Sequence, residues 1–215
     1  MTTADPTRLS EAWVVKLGGS LAESADLRTW LDILAGGAGG VVLVPGGGPF
    51  ADQVRKTQQH WAFDDGTAHR LALLAMEQYG LMLAALHPAL RPAGSRMEIA
   101  RIRRASRIPV WMPTRMALGR PEIPESWNVT SDSLAAWLAG RLRARRVVLI
   151  KSVEPPQSAT AADLARRGIV DPLLPDFLAR SGADLWCIGP AGKRRLHDAL
   201  RGMSARTPEC TAGTD

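Results

Sequence analysis

Lysines and glycines at the ends of apolar runs are the residues most able to do chemistry in this chain. Lys16 stands two positions before the pair Gly18-Gly19, at the end of an apolar run that begins at Trp13. A second apolar run ends in Gly46-Gly47-Gly48. Glycines let the backbone approach a ligand closely, and the free N–H groups of a helix start bind anions. Lys16 adds a point charge suited to phosphate. The two clusters therefore predict a phosphate-binding site between them.

Two common nucleotide-binding motifs are absent from both clusters. Neither has the P-loop spacing G-x-x-x-x-G-K-[ST], and neither has the dinucleotide spacing G-x-G-x-x-G. A single glycine-rich turn between a strand and a helix is also common in α/β folds. For either cluster alone, a purely structural turn stays an alternative.

Lysine is rare in this chain. The sequence has 27 basic residues, and four of them are lysines: Lys16, Lys56, Lys151 and Lys193. A compact ammonium group fits a crowded phosphate site better than a guanidinium. Three of the four lysines follow an apolar run or lie beside glycine, although a sample of four also allows chance.

Alternating apolar and amphipathic segments predict the elements that position these residues. Strands are expected at 12–17 and 40–45, joined by a helix near 24–35, and such a βαβ unit pairs its strands in parallel. Further strands are expected near 97–102, 108–112, 146–151 and 184–188, with one short strand in the tail 204–215. Helices are expected at 49–60, from Asp64 to Pro88, from 131 to about 143, near 160–167 and 172–181, and up to about 201. The helix from Asp64 to Pro88 is expected to bury an apolar stripe of Leu71, Leu74, Met76, Leu81, Leu83 and Leu86. Residues 113–127 are expected to form a loop.

This alternation predicts a three-layer αβα sandwich around a largely parallel sheet, as one domain over residues 1–215. Ligands in such folds bind outside the carboxyl ends of the strands. Lys16, the glycines 46–48, Lys151 and the segment 189–193 all fall at those ends. Their convergence is stronger support for a site than any single motif.

Composition excludes several classes of protein. No apolar run reaches the ~18 residues of a membrane span, and no signal peptide precedes the first predicted strand. Cys187 and Cys210 are too few for a disulfide framework, so a cytoplasmic protein is expected. The net charge of +6 accompanies an aromatic content of 5%, which offers few stacking platforms for nucleic acid, so no nucleic-acid partner is expected.

Four segments, in order, resemble the amino acid kinase family, which includes aspartate, glutamate and uridylate kinases. They are Lys16-Leu17-Gly18-Gly19-Ser20, Gly46-Gly47-Gly48 with Ala51, Thr130-Ser131-Asp132-Ser133-Leu134-Ala135, and Gly189-Pro190-Ala191-Gly192-Lys193. The resemblance implies the amino acid kinase fold, transfer of the γ-phosphoryl group of ATP, Mg²⁺ bridging the ATP phosphates, and association into a homo-oligomer. The chain departs from many relatives after Val153, where Glu154-Pro155-Pro156 replaces Asp-Gly.

The resemblance also implies a role for each matching residue. Lys16, Asp132 and Lys151 would be catalytic, with Asp132 orienting the two lysines. The nucleotide would be held by Gly18, Gly19, Ser20, Ser152, Gly189, Gly192 and Lys193, and the acceptor by Gly46, Gly47, Gly48, Arg55, His69, Asn128 and Thr130. No residues are expected to form a dedicated metal cage. The simpler interpretations are a helix-start acid for Asp132, a buried helix histidine for His69 and a solvated lysine for Lys193.

Within the family, the likeness is greatest to the small enzymes of methanofuran synthesis. It rests on the segment from Gly48 to Asp52 with Arg55, on His69 with the segment 75–78, on the segments 110–113 and 127–133, and on 149–153. This implies a small phosphate monoester, an aminomethylfuran methyl phosphate, as the acceptor that is converted to a diphosphate. Other acceptors, such as isopentenyl phosphate or UMP, stay open, and so does a non-catalytic protein that stores nucleotides or metal oxyanions.

Overall fold

A computed structural model of the chain describes residues 12–204, and these contain one six-stranded sheet whose strand pairs are all parallel. The strands are β1 (Trp13–Leu17), β2 (Val41–Pro45), β3 (Leu90–Ala93), β4 (Ile108–Trp111), β5 (Arg146–Ile150) and β6 (Asp184–Ile188), in the spatial order β3-β4-β2-β1-β5-β6. The helices are α1 (Leu27–Ala35), α2 (Gly48–Trp61), α3 (Asp65–Leu86), α4 (Arg96–Arg104), α5 (Thr114–Ala117), α6 (Ser131–Leu142), α7 (Ala161–Arg166), α8 (Leu174–Ser181) and α9 (Lys193–Ser204).

Helices cover both faces of the sheet and give the predicted αβα sandwich. Side chains alternate along each strand, so Val14 of β1 packs on the face that carries α6 and α8, while Val15 packs on the face that carries α1 and α9. Burial on both faces explains why the central strands are apolar at nearly every position. That residues 1–215 form one domain stays a prediction, and a single sheet runs through the described residues.

The predicted strand at 97–102 is wrong, because these residues lie in α4. Ser95 accepts a hydrogen bond from the Glu98 N–H at 3.3 Å, and the Glu98 carboxylate accepts one from the Ser95 hydroxyl at 3.0 Å. This reciprocal cap starts a helix where the apolar residues alone resembled a strand. The strand of this region is β3, which includes Pro92 and lies at the edge of the sheet, where a missing N–H is tolerated.

The predicted apolar stripe of α3 is partly wrong. Leu74 is 40% exposed and Leu81 is 55% exposed, whereas His69, Leu73 and Met76 are buried. The buried positions recur every three or four residues, and Leu74 and Leu81 fall on the opposite side of the helix.

The predicted loop 113–127 includes the short helix α5. Cys187 is a free thiol. Cys210 and the tail strand expected in 204–215 lie outside the described residues, apart from residue 204, which ends α9. No helix in the described part of the chain is long and apolar enough to cross a membrane.

Candidate active site

Lys16, Asp132 and Lys151 form one buried ionic cluster. The Lys16 ammonium lies 2.9 Å from one carboxylate oxygen of Asp132, and the Lys151 ammonium lies 2.5 Å from the other. Asp132 is 3% exposed and Lys16 is 6% exposed. The structure therefore brings together the three residues predicted to be catalytic.

The sheet register explains how the two lysines meet one carboxylate. Lys16 pairs with Leu149 across the β1–β5 ladder, so Lys151 stands two positions further along the neighbouring strand. Positions two apart share a face, and both lysines project toward α6, whose first turn carries Asp132.

Burial and neighbouring charges shift the pKa values of Asp132 and Lys151 in this cluster. Burial alone raises the pKa of the Asp132 carboxyl, but the ammonium groups of Lys16 and Lys151 outweigh burial and hold that pKa below its ordinary value. Burial, together with the charge of Lys16, lowers the pKa of Lys151. The cluster carries two cations and one anion and so keeps a net positive charge for a phosphate.

The two glycine clusters pack backbone against backbone. A Cβ on Gly19 would collide with the backbone nitrogen of Gly48 and lie 2.8 Å from its Cα. A Cβ on Gly46 would lie 2.8 Å from the Gly19 Cα. Gly48 also has a φ of +56°, a backbone conformation that residues with a side chain rarely adopt. Glycine is therefore required at this junction by contact and by backbone conformation.

Several N–H groups at this junction are available to an anion. Among the described residues, we find no protein acceptor for the N–H groups of Gly19, Ser20, Gly47 or Gly48. Gly48 begins α2, so the helix dipole adds to their attraction for negative charge.

Two predicted glycines differ from the others in their backbone bonds. The Gly18 N–H donates to the Ile150 carbonyl at 3.0 Å, and the Gly46 N–H donates to the Leu17 carbonyl at 2.9 Å. Both groups extend the sheet ladder, so neither N–H is free for a phosphate.

Two cavities meet at this junction. The first, of about 210 Å³, lies between α2, α3 and the segment before α6. The second, of about 520 Å³, is lined by Lys16, Asp132, Lys151 and Ser152. The residues that line both cavities are Gly19, Ser20, Arg55, Trp127 and Thr130. The arrangement offers two adjoining compartments with the positive cluster in the second one.

Arg55 and Trp127 stand where the cavities adjoin. The Arg55 guanidinium lies 3.7 Å from the centre of a Trp127 ring, and the Trp127 indole N–H donates to the Gln58 side chain at 2.7 Å. Stacking holds the guanidinium in place without neutralising its charge. The sequence predicted Arg55 but assigned no role to Trp127, because the stacking partner lies on a distant loop.

The first cavity has walls of mixed character. Its apolar residues include Leu73 and Met76, and its charged residues are Arg55, Asp52 and Asp65. His69 also lines it and is 6% exposed. Burial lowers the pKa of His69 while Glu125 opposes this, so the imidazole is a neutral hydrogen-bonding group at neutral pH rather than a cation.

Five predicted site residues lie outside both cavities: Gly46, whose N–H extends the sheet ladder, and Gly189, Gly192, Lys193 and Asn128. Gly189 packs against the backbone of Glu154, whose carboxylate accepts the Ala191 N–H, and Gly192 packs against Ile188. The Lys193 ammonium pairs with Asp26 at 2.6 Å. Asn128 is exposed. Nucleotide binding by Gly189, Gly192 and Lys193, and acceptor binding by Asn128, stay predictions without support from these contacts.

Ser20 and Ser152 connect the two loops that follow β1 and β5. The Ser20 hydroxyl donates to the Ser152 hydroxyl at 2.9 Å, and both residues line the second cavity. This bond joins the strand ends that carry Lys16 and Lys151.

Asp171 is a site residue that the sequence did not reveal. It is 8% exposed, lines the second cavity, and accepts hydrogen bonds from Thr130 and Ser133 at the start of α6. Its partners lie about 40 positions earlier in the chain, so no local pattern marks it.

A parallel αβα sandwich with glycine loops and a lysine pair at the carboxyl ends of its central strands is an arrangement suited to binding phosphate groups. The chain belongs to the amino acid kinase family, whose sequence profile matches residues 11–155.

Known proteins resemble the chain along most of its length. It is 24% identical over 201 residues to [5-(aminomethyl)furan-3-yl]methyl phosphate kinase of Methanocaldococcus jannaschii, an alignment that covers 88% of this chain and 93% of that protein. The uridylate kinase of Archaeoglobus fulgidus has a similar structure, with a TM-score of 0.66, 18% identity, and coverage of 89% of this chain and 96% of that one. An isopentenyl phosphate kinase has a TM-score of 0.56, 15% identity, and coverage of 89% and 96%.

Proposed function

We propose that this protein transfers the γ-phosphoryl group of ATP to a small phosphate monoester, and that the acceptor is [5-(aminomethyl)furan-3-yl]methyl phosphate. The observation that carries the kinase reaction is the Lys16–Asp132–Lys151 cluster in the second cavity, beside the free N–H groups of the glycine loops. The acceptor is supported by the relative from Methanocaldococcus jannaschii, whose name states this substrate.

The chemistry of the first cavity fits such an acceptor. Its apolar wall with Trp127 suits an aromatic ring, and Arg55 with the free N–H groups of Gly47 and Gly48 suits a phosphate. Asp52 and Asp65 suit an ammonium group. Isopentenyl phosphate has a phosphate but no cation to meet these carboxylates.

The proposed reaction needs no general base. The second pKa of a phosphate monoester is about 6, so its oxygen is ionised at neutral pH. That oxygen attacks the γ-phosphorus, the bond to the β–γ bridging oxygen breaks, and ADP leaves as the diphosphate forms. Lys16 and Lys151 stabilise the charge on the transferred group, and Asp132 keeps the two ammonium groups together.

The residues present fit a Mg²⁺ ion carried by the nucleotide. Between residues 12 and 204, no group of three or more His, Cys, Asp or Glu side chains is placed to hold a metal. Asp132 is engaged by two lysines, and Asp171 accepts three hydrogen bonds. Mg²⁺ bound by ATP phosphates would supply charge neutralisation.

The test is ADP release from Mg·ATP with three acceptors: the aminomethylfuran methyl phosphate, isopentenyl phosphate and UMP. Turnover with the furan alone is expected. Turnover with either control instead would keep the kinase and reject the acceptor. ATP binding without turnover of any acceptor would reject catalysis and favour a storage protein.

A further inference from the structure

The carboxylate of Asp171 receives the first N–H groups of α6. Its Oδ2 accepts the Thr130 N–H at 2.8 Å and the Ser133 N–H at 2.9 Å, and its Oδ1 accepts the Thr130 hydroxyl at 2.6 Å. Asp171 is buried, and it precedes Pro172 just before α8.

These bonds replace the cap that a helix usually makes for itself. Thr130 occupies the N-cap position with an extended backbone, where a threonine hydroxyl ordinarily accepts an N–H of the first turn. Here the hydroxyl makes no such bond: it donates to Asp171, and the Ser133 N–H of the first turn goes to the same carboxylate. The cap of α6 is thus supplied by a distant part of the chain that also lines the second cavity.

In the sequence, Asp132 lies between Thr130 and Ser133, whose N–H groups donate to Asp171. We infer that Asp171 is a positioning residue, which fixes the first turn of α6 so that the Asp132 carboxylate stays between Lys16 and Lys151. The inference rests on the proposed phosphoryl transfer. It assigns Asp171 no contact with substrate or with the reacting atoms.

The contacts favour positioning over a direct chemical role. Both oxygens of Asp171 already accept hydrogen bonds from α6. Burial and the nearby charge of Asp132 raise the pKa of Asp171, and the three hydrogen bonds oppose this rise. Three of the four acceptor sites of this carboxylate are therefore committed to the start of α6.

Asparagine can reproduce every one of these contacts without the charge. Its amide oxygen can accept the N–H groups of Thr130 and Ser133, and its amide NH₂ can donate to the Thr130 hydroxyl, which accepts as well as donates. Asp171→Asn and Asp171→Ala therefore separate position from charge. Ser95→Ala is the matched control, because it removes the cap of α4, away from both cavities.

We expect Asp171→Ala to lower kcat by about tenfold to a hundredfold, the effect of misplacing a catalytic group by about 1 Å. The KM for ATP and the Mg²⁺ requirement should stay near wild type, and Asp171→Asn should restore kcat to within about threefold of wild type. Ser95→Ala should lower the Tm and leave kcat unchanged. All assays are run below the Tm of the least stable variant.

Two kinetic outcomes would overturn the proposal. If Asp171→Asn were as inactive as Asp171→Ala and required more Mg²⁺, Asp171 would act through its charge. An unchanged kcat in Asp171→Ala would reduce Asp171 to a structural cap.

A second readout does not depend on the acceptor. Reductive methylation of Lys16 and Lys151, quantified by mass spectrometry, should rise in Asp171→Ala and match wild type in Asp171→Asn. If wild type turned over no acceptor, the proposed function would fail while this labelling still decided the positioning role. Equal labelling in both variants would reject it.

Discussion

Lys16 on β1 and Lys151, directly after the adjacent parallel strand β5, lie two positions apart in register and share the carboxylate of Asp132. The two ammonium groups belong to segments far apart in the sequence, yet one buried anion holds both. The shared carboxylate offsets the repulsion between the two ammonium groups, so both positive charges can lie beside one cavity.

Lys16→Ala should lower kcat by about a hundredfold to a thousandfold, the usual effect of removing one group that stabilises transition-state charge. The Tm should change little, because Asp132 keeps Lys151 as its partner. Steady-state kinetics and thermal unfolding check this, with the exposed Lys56→Ala as control. Near-normal turnover would remove Lys16 from the mechanism.

The activity should fall with rising pH before an ordinary lysine titrates. Burial, with the charge of Lys16, lowers the pKa of Lys151 from 10.5, so its ammonium is lost earlier on the alkaline side. A kcat–pH profile measures this limb. Lys151→Arg should remove the limb at the cost of a lower kcat. If the limb persisted in that variant, it would belong to another group.

Asp52→Asn and Asp65→Asn should raise the KM for the amine-bearing acceptor by up to about fivefold each, because both carboxylates are exposed and such a charge contact is worth roughly 0.2–1 kcal/mol. The KM for an analogue lacking the amine should not change. In Asp65→Asn the new amide oxygen can still accept the Gln58 side-chain N–H that Asp65 accepts at 2.9 Å, so the fold is preserved. Asp198→Asn, on α9, is the matched control. Equal effects on both acceptors would contradict an ammonium contact.

Gly19→Ala should reduce both the Tm and the turnover, because the added methyl group collides with the backbone of Gly48. Gly202→Ala is the control, since a Cβ there has no neighbour within 4 Å and alanine favours a helix by about 1 kcal/mol over glycine. Thermal unfolding and kcat are measured for both. A stable, active Gly19→Ala would show that the two loops separate easily.

Features that depend on a local pattern of residues could be predicted from the sequence. The central strands and the αβα layers form as expected, and Lys16, Asp132 and Lys151 meet where the strand ends and a helix start indicated. The role of Asp171 could not be predicted, since its partners at the start of α6 are distant in sequence. The apolar residues at 97–102 predict a strand, but the cap formed by Ser95 and Glu98 starts the helix α4 there.

The contact between Gly19 and Gly48 leaves no space for a side chain between the two loops. Neither loop can move closer to the other, so hard-core repulsion between the two backbones sets the closest approach of the groups that the loops bind.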